Sequence, residues 1–255
     1  MEEGPARAEN PGAGISPGPT LSVVVPCFNE EKNLPVLVNR INQAMGSAGI
    51  PGEIVLVNDG SRDGTGAAID LLSRQFQNVR AVHHGANRGI VEGWRSGLAA
   101  SGGDFVLTTD ADLQYAPEDI PLLYREMVSG GWDLVQGWRK EREEPDRIRD
   151  LLSVGLSRML QWIFSMDLQD VKSGFICYRK EVFRDILDYR QKYFSFQSLI
   201  TVAARFKGYR IRQVPITFFR RHAGESFIQR PLLFSIQAAT DLPKAFYEYR
   251  MRKRR

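Results

Sequence analysis

The sequence predicts an α/β protein built on a mainly parallel central sheet flanked by helices. Three observations carry this reading. Short apolar runs alternate with stretches of helical length through the first half of the chain. Each run is apolar without interruption, as expected of a strand covered on both faces. Polar, turn-forming segments follow three of the runs directly. Strand and helix in strict turn imply a sheet with helices on its faces, and ligands of such sheets bind beyond the carboxyl ends of the strands.

The elements follow in order. "LSVVVP" (21–26) reads as the first strand and residues 31–46 as the helix behind it. "EIVLVN" (53–58) and a helix over 64–76 repeat the unit, then "VRAVHH" (79–84) and a helix over 89–100. "DFVLTT" (104–109) and "DLVQGW" (133–138) supply two more strands. Gly89, Gly93 and Gly97 recur every fourth residue, so they line one helical face and predict close packing on the sheet. In the second half, residues 148–166 and 231–249 have amphipathic helical patterns, the latter running into the basic tail "RMRKRR" (250–255). Such helices pack on a core or lie on a membrane surface, and Trp162, Phe164 and the cationic tail suit the second role.

Composition sets bounds. A chain of 255 residues can bury one large core or at most two small ones, and 43% hydrophobic with 25% charged residues is ordinary for a globular protein. Cys27 and Cys177 are far apart and outside any metal-type spacing, which fits two buried thiols in a reducing compartment. No stretch approaches the ~20 apolar residues of a membrane span. Residues 1–20, with four Pro and four Gly, lack the apolar centre of a signal peptide and read as a disordered leader. Residues 201–255 hold 13 Lys or Arg against 3 Asp or Glu, while the rest of the chain holds 21 against 27. That basic end suits nucleic acid, an anionic membrane surface or a phosphorylated substrate.

The chemistry gathers at three strand ends: "CFNEE" (27–31), "NDGSRDGT" (58–65) and "DADLQ" (110–114). Taken alone, Asp63 and Thr65 read as turn and cap residues. Asp110 and Asp112 are like charges one residue apart and require a positive partner. In an extended chain Asp110, Asp112 and Gln114 would point the same way and present three oxygen ligands, a set that selects Mg²⁺ or Mn²⁺. So few protein ligands imply a metal shared with substrate phosphates, hence a diphosphate. A G-x-G-x-x-G turn and a G-x-x-x-x-G-K-[ST] loop are both missing, which argues against a dehydrogenase and an ATPase. The nucleotide pocket would instead be built from Asn29, Glu30 and Asp59.

"VVVPCFNEEKNL", "VNDGSRDGT", "TTDADLQYAPEDI" and "DVKSGF" together resemble the successive signatures of glycosyltransferase family 2, and more narrowly its polyprenyl-phosphate branch. The resemblance spans residues 21–228, which it defines as a catalytic domain, leaving 229–255 as an amphipathic helix and basic tail. It implies a GT-A fold, a nucleotide-diphosphate sugar donor, a bound Mg²⁺ or Mn²⁺ and inverting transfer to a polyprenyl phosphate. It places Pro26, Asn29, Glu30 and Asp59 in the nucleoside pocket and Arg139 with the donor. Asp110, Asp112 and Gln114 would hold the metal and the diphosphate. Arg149 and Ser153 match an R-x-x-x-S pair, and Asp170, Ser173 and Gly174 match a D-x-x-S-G-F loop near the sugar. "RHAGES" matches R-x-x-G-E-S, whose Arg221 and Ser226 would meet the acceptor phosphate with Arg149 and Ser153. Phe227 departs from the pattern, since the branch usually has lysine there. Asp112, Asp170, Arg149 and Arg221 are thus the expected catalytic residues.

The acceptor can be weighed on its chemistry. A sugar hydroxyl needs a general base, for which Asp170 is the candidate, whereas a lipid monophosphate is already ionised and needs arginines instead. Two alternatives to lipid-phosphate transfer stay open, a transferase acting on a saccharide hydroxyl and a non-catalytic binding protein. The acidic cluster argues against the second, and no nucleic-acid partner is expected. A polyprenyl acceptor implies a cytoplasmic protein held peripherally on an anionic membrane face. A membrane partner subunit or self-association is compatible with the sequence.

Overall fold

The computed structural model describes residues 20–142, 155, 162–164, 168–189, 191–222 and 240–251. Seven strands form one sheet in the order β3-β2-β1-β4-β6-β5-β7. They are β1 (Leu21–Cys27), β2 (Gly52–Asn58), β3 (Val79–His83), β4 (Phe105–Thr108), β5 (Leu134–Arg142), β6 (Ile176–Arg179) and β7 (Ile211–Phe218). β1 pairs in parallel with β2 and β4, β2 with β3, and β5 with β7. Only β6 is reversed, running antiparallel to both β4 and β5. The five strands expected from sequence are present, and the sheet is mainly parallel as expected.

Alternation within the continuous apolar runs feeds two cores, one on each face. Val23 and Val25 of β1 point to a core with Ile54, Leu56 and Leu107, covered by α1 (Leu34–Ser47), α2 (Thr65–Gln75) and α4 (Ile120–Gly130). Val24 points to the other core with Val55, Val57 and Val106, covered by α3 (Ile90–Ala100), α5 (Lys180–Leu187) and α6 (Ile200–Lys207). The short α7 (Asp241–Ala245) leads into a π-helical turn over Phe246–Met251, whose Tyr249 joins this second core. Cys27 and Cys177 are buried free thiols. Among the described residues no helix is long and apolar enough to cross a membrane.

The second half was less legible. β6 is four residues long and β7 is an edge strand carrying Pro215, which pairs only with β5. Neither gives a continuous apolar run, and an edge strand tolerates the proline's missing N–H. Of the amphipathic stretch 148–166, the described residues 155 and 162–164 are helical. There Phe164 is buried edge-on against Phe206 and Trp162 is 82% exposed. Residues 231–239 of the second stretch lie outside the described residues, as do Arg149, Ser153, Ser226 and Phe227.

Gly93 and Gly97 of α3 do what their spacing predicts, whereas Gly89 stands at the helix N-cap with φ of 85°, where a Cβ would meet nothing within 4 Å. A Cβ on Gly97 would lie 2.3 Å from Val24 Cγ1, and one on Gly93 would lie 2.9 Å from Pro26 Cβ. The helix axis therefore sits as close to β1 as a side-chain-free face permits, and β1 carries the first strand-end loop. Gly97→Ala should cost about 1–3 kcal/mol through overpacking. Gly46→Ala in α1, where a Cβ meets nothing within 4 Å, should instead stabilise by about 0.4–1 kcal/mol. Urea unfolding of the two variants beside wild type measures both signs.

Candidate active site

The site is assembled at the carboxyl ends of β1, β2 and β4. The loops after β1 and β2 are sewn together by side chain to backbone bonds. Asn29 adopts a left-handed conformation with φ of 58°. Its Oδ1 accepts from Arg62 N–H at 2.8 Å, and its own N–H donates to Ser61 Oγ at 3.0 Å. Glu30 N–H donates to Thr65 Oγ1 at 2.8 Å, and Asp63 Oδ1 accepts from Thr65 N–H at 3.0 Å. Asp63 thus plays the turn role expected of it, whereas Thr65 opens α2 as its first residue and uses its hydroxyl to join the two loops. Pro26 lies in β1 under α3, one strand away from this seam.

Asp59 is buried and fully engaged with the chain after β3. Its Oδ1 accepts from Arg88 N–H at 2.8 Å and faces His84 Nδ1 at 2.7 Å, while Oδ2 accepts from Gly89 N–H at 2.8 Å. His84 Nε2 in turn lies 2.8 Å from Ser96 Oγ on α3. With a carboxylate at Nδ1, that nitrogen carries the proton and Nε2 accepts from the serine. Sequence reading missed His84 and Ser96, because a histidine at a strand end carries no motif. The clamp seats the loop that opens α3 against the end of β2.

The acidic turn after β4 corrects one geometric expectation. Asp110, Asp112 and Gln114 do not project from one side of an extended chain, because Leu113 is left-handed with φ of 62° and folds the chain into a turn. Asp112 Oδ1 closes that turn by accepting from Gln114 N–H at 3.0 Å, and the Gln114 amide points toward the Phe219 carbonyl, 3.4 Å away. Asp112 is buried and Asp110 partly exposed. The positive partner that the two carboxylates require is Arg221. Its Nη2 lies 2.7 Å from Asp112 Oδ2 and its Nη1 lies 3.2 Å from Glu30 Oε1. Arg221 therefore meets the acidic cluster directly, although its sequence position put it in the basic half. Burial and the neighbouring Asp112 charge push Asp110 up to about 7, and burial raises Glu30 despite its bonds to Asn33 and Arg221.

Beside this turn runs the loop that enters β6. Burial alone would raise Asp170, but Arg139 outweighs it and holds the carboxyl below its usual range. The pair is bidentate, with Arg139 Nε at 2.6 Å from Oδ2 and Nη2 at 3.0 Å from Oδ1. Lys172 N–H adds a third bond at 3.0 Å, and the Arg139 guanidinium also lies 5.1 Å from the Phe218 ring centroid. Gly174 N–H donates to Tyr115 Oη at 3.0 Å, and the Gly174 carbonyl accepts from Thr108 Oγ1 at 2.7 Å. The Ser173 carbonyl accepts from Gln136 Nε2 at 2.9 Å. A Cβ added at Gly174 would stand 4.0 Å from Asp110 Oδ1, so backbone approaches the acidic turn closely there.

No group of three or more His, Cys, Asp or Glu among the described residues is arranged to hold a metal unaided. The chemistry of the donor set nevertheless fits a hard divalent cation that draws its remaining ligands from phosphate. Asp110 and Asp112 offer carboxylate oxygens, and their mutual repulsion is what a dication relieves.

The mainly parallel sheet thus presents an acidic turn at the carboxyl end of β4, beside the loops after β1 and β2. The chain belongs to glycosyl transferase family 2, whose sequence model matches residues 22–187. It is 31% identical over 225 residues to polyprenol monophosphomannose synthase of Mycolicibacterium smegmatis, covering 84% of this chain and 83% of the relative. It is 35% identical over 163 residues to undecaprenyl-phosphate 4-deoxy-4-formamido-L-arabinose transferase of Pectobacterium atrosepticum, covering 64% of this chain and 49% of that protein. The fold matches glucosyl-3-phosphoglycerate synthase of Mycobacterium tuberculosis, solved with Mn²⁺, uridine diphosphate and phosphoglyceric acid. That match has a TM-score of 0.69 at 20% identity, covering 89% of this chain and 78% of the other. The architecture is thus the expected GT-A fold.

Two outcomes follow from the site's construction. Asp110 has a folded pKa of about 7, above the ~3.9 of an unfolded aspartate. The folded chain then binds more protons across that window, so this group's contribution to stability falls as pH rises from about 4 to about 7. In EDTA, Asp110→Asn should match wild type near pH 4 and exceed it near pH 8 in urea melts. An equal difference at both pH values would mean that the carboxylate is not strained. For the clamp, His84→Ala should speed amide exchange of Arg88 and Gly89 by about tenfold or more. His84→Asn, which keeps a donor toward Asp59, should retain most of the protection.

Proposed function

We propose that this glycosyltransferase moves a sugar from a nucleoside-diphosphate sugar to a polyprenyl phosphate, with inversion at the anomeric carbon. The observation that carries the reading is the state of Asp170. A transferase acting on a sugar hydroxyl needs a base that can take a proton. Asp170, the base candidate, has both oxygens engaged by Arg139, which holds the carboxyl below its usual range. A phosphate monoester, with a second pKa of roughly 6, arrives already ionised and needs no such base. The relatives' names, a polyprenol monophosphomannose synthase and an undecaprenyl-phosphate sugar transferase, support this acceptor class.

In the proposed reaction Asn29, Glu30 and Asp59 frame the nucleoside, beside Pro26. Asp110 and Asp112 would hold Mg²⁺ or Mn²⁺, which when bound would supply charge neutralisation for the leaving diphosphate. Gln114 donates its amide N–H toward the Phe219 carbonyl, and its Oε1 would be the atom offered to the cation. Asp170 acts as the partner that fixes Arg139 near the donor phosphates. Arg221, with Arg149, Ser153 and Ser226, orients the acceptor phosphate. One of its oxygens attacks the anomeric carbon as the bond to the diphosphate breaks. The acceptor's chain lies in a bilayer, so the protein works peripherally at the cytoplasmic face. Trp162 and Tyr247, 82% and 64% exposed, together with the basic residues of 250–255 suit that contact.

The test is a panel of radiolabelled nucleotide sugars offered with polyprenyl phosphate vesicles and Mn²⁺. Label should enter the organic phase with one donor, and EDTA should stop it. Asp112→Asn should lower the rate about a hundredfold or more. Label that leaves the donor only as free sugar, at a rate indifferent to polyprenyl phosphate, would refute the acceptor.

A further inference from the structure

Arg221 reaches the acidic turn from a backbone that is stitched to that same turn. Phe219 N–H donates to the Gln114 carbonyl at 2.8 Å, and His222 N–H donates to the Asp112 carbonyl at 3.2 Å. Between these two anchors, the guanidinium spans Asp112 Oδ2 at 2.7 Å and Glu30 Oε1 at 3.2 Å. The other oxygen of Asp112 already accepts from Gln114 N–H at 3.0 Å. Oδ2 is therefore the oxygen best placed for a hard cation. Mg²⁺ and Mn²⁺ ligands of this kind sit at about 2.0–2.2 Å, inside the space that the guanidinium nitrogen takes up. Two cations bound to one carboxylate oxygen repel each other.

We propose that Arg221 is an exchangeable counter-cation, which holds Asp112 Oδ2 until the metal–donor complex claims that oxygen and then turns its guanidinium to the acceptor phosphate. The inference rests on the metal-dependent transfer proposed above. Only side-chain rotation is required, because the backbone bonds on either side of Arg221 can persist. The planar fork that bridges two carboxylates matches a phosphate equally well, which a lysine would not. The exchange also imposes an order. Donor and metal enter first, because their arrival is what frees the group that receives the acceptor. The acidic cluster is never left without a neutralising charge.

The experiment is titration with Mn²⁺ alone, following free Mn²⁺ by electron paramagnetic resonance, for wild type and three single variants. Arg221→Ala should bind Mn²⁺ about ten- to a hundredfold more tightly than wild type, the factor expected for loss of a competing charge-assisted pair. Arg221→Lys keeps the charge without the fork and should fall in between, so it serves if the alanine variant folds poorly. Arg220→Ala removes the same charge from an exposed neighbour and should behave as wild type. Exchange is overturned if Arg221→Ala binds no more tightly than wild type. It is equally overturned if Arg220→Ala tightens binding as much, which would reveal a general field effect. Absence of Mn²⁺ binding in wild type and every variant overturns the exchange alone, whereas sugar transfer that persists undiminished in EDTA refutes the metal-dependent reading and the exchange with it.

Discussion

Everything at the carboxyl edge of the sheet answers to one constraint: several carboxylates are brought close together in a place with little water. Asp112 is buried, Asp110 is pushed into the neutral range and Glu30 is raised by its surroundings. Such crowding is unfavourable unless a cation sits within it. Arg221 meets that need from 109 positions beyond Asp112 in the sequence, and its neighbours Phe219 and His222 bond to the same turn. The end of β7 is thereby drawn across the sheet to the end of β4, where Tyr115 also bridges to Phe218. One electrostatic demand thus ties the second half of the chain to the first.

A second pairing follows the same logic with the opposite outcome. Arg139 and Asp170 satisfy each other through two bonds, and Phe218 covers the guanidinium. Neither group retains the freedom that proton transfer would require. A bidentate pair of this kind holds geometry more than it supplies reactivity. Arg139–Asp170 is thus a closed pair of two residues, whereas Arg221 joins three, and the difference separates scaffold from exchangeable group.

Much of this was legible in the sequence. Most strands of the first 140 residues announced themselves as apolar runs because both faces are covered, whereas β3 is an edge strand with Arg80, Ala81 and His83 exposed, legible by its place in the alternation. The glycine face of α3 was readable from spacing alone, as was the gathering of polar groups at three strand ends. What stayed hidden depends on distant partners. The turn at 110–114 looked extended because a left-handed leucine leaves no compositional trace. His84 acquires its role only when β3 lies beside β2, and Arg139 meets Asp170 only after β6 has been reversed into the sheet. The resemblance supplied residue types for the site, but not which of them touch.

That reversal of β6 has a consequence for how the protein can change. In a uniformly parallel sheet, each strand delivers to the working edge only the loop that leaves it. An inverted strand delivers the loop that enters it. Residues 170–175 are therefore presented at the edge by the connection between β5 and β6, a segment that shares no strand with the loops after β1 and β2. Insertions, deletions or exchange of that connection can remodel one half of the cleft while the other half keeps its shape. The fold is divided, in effect, into a fixed socket and an interchangeable fitting, with a ready-made seam along which change can proceed.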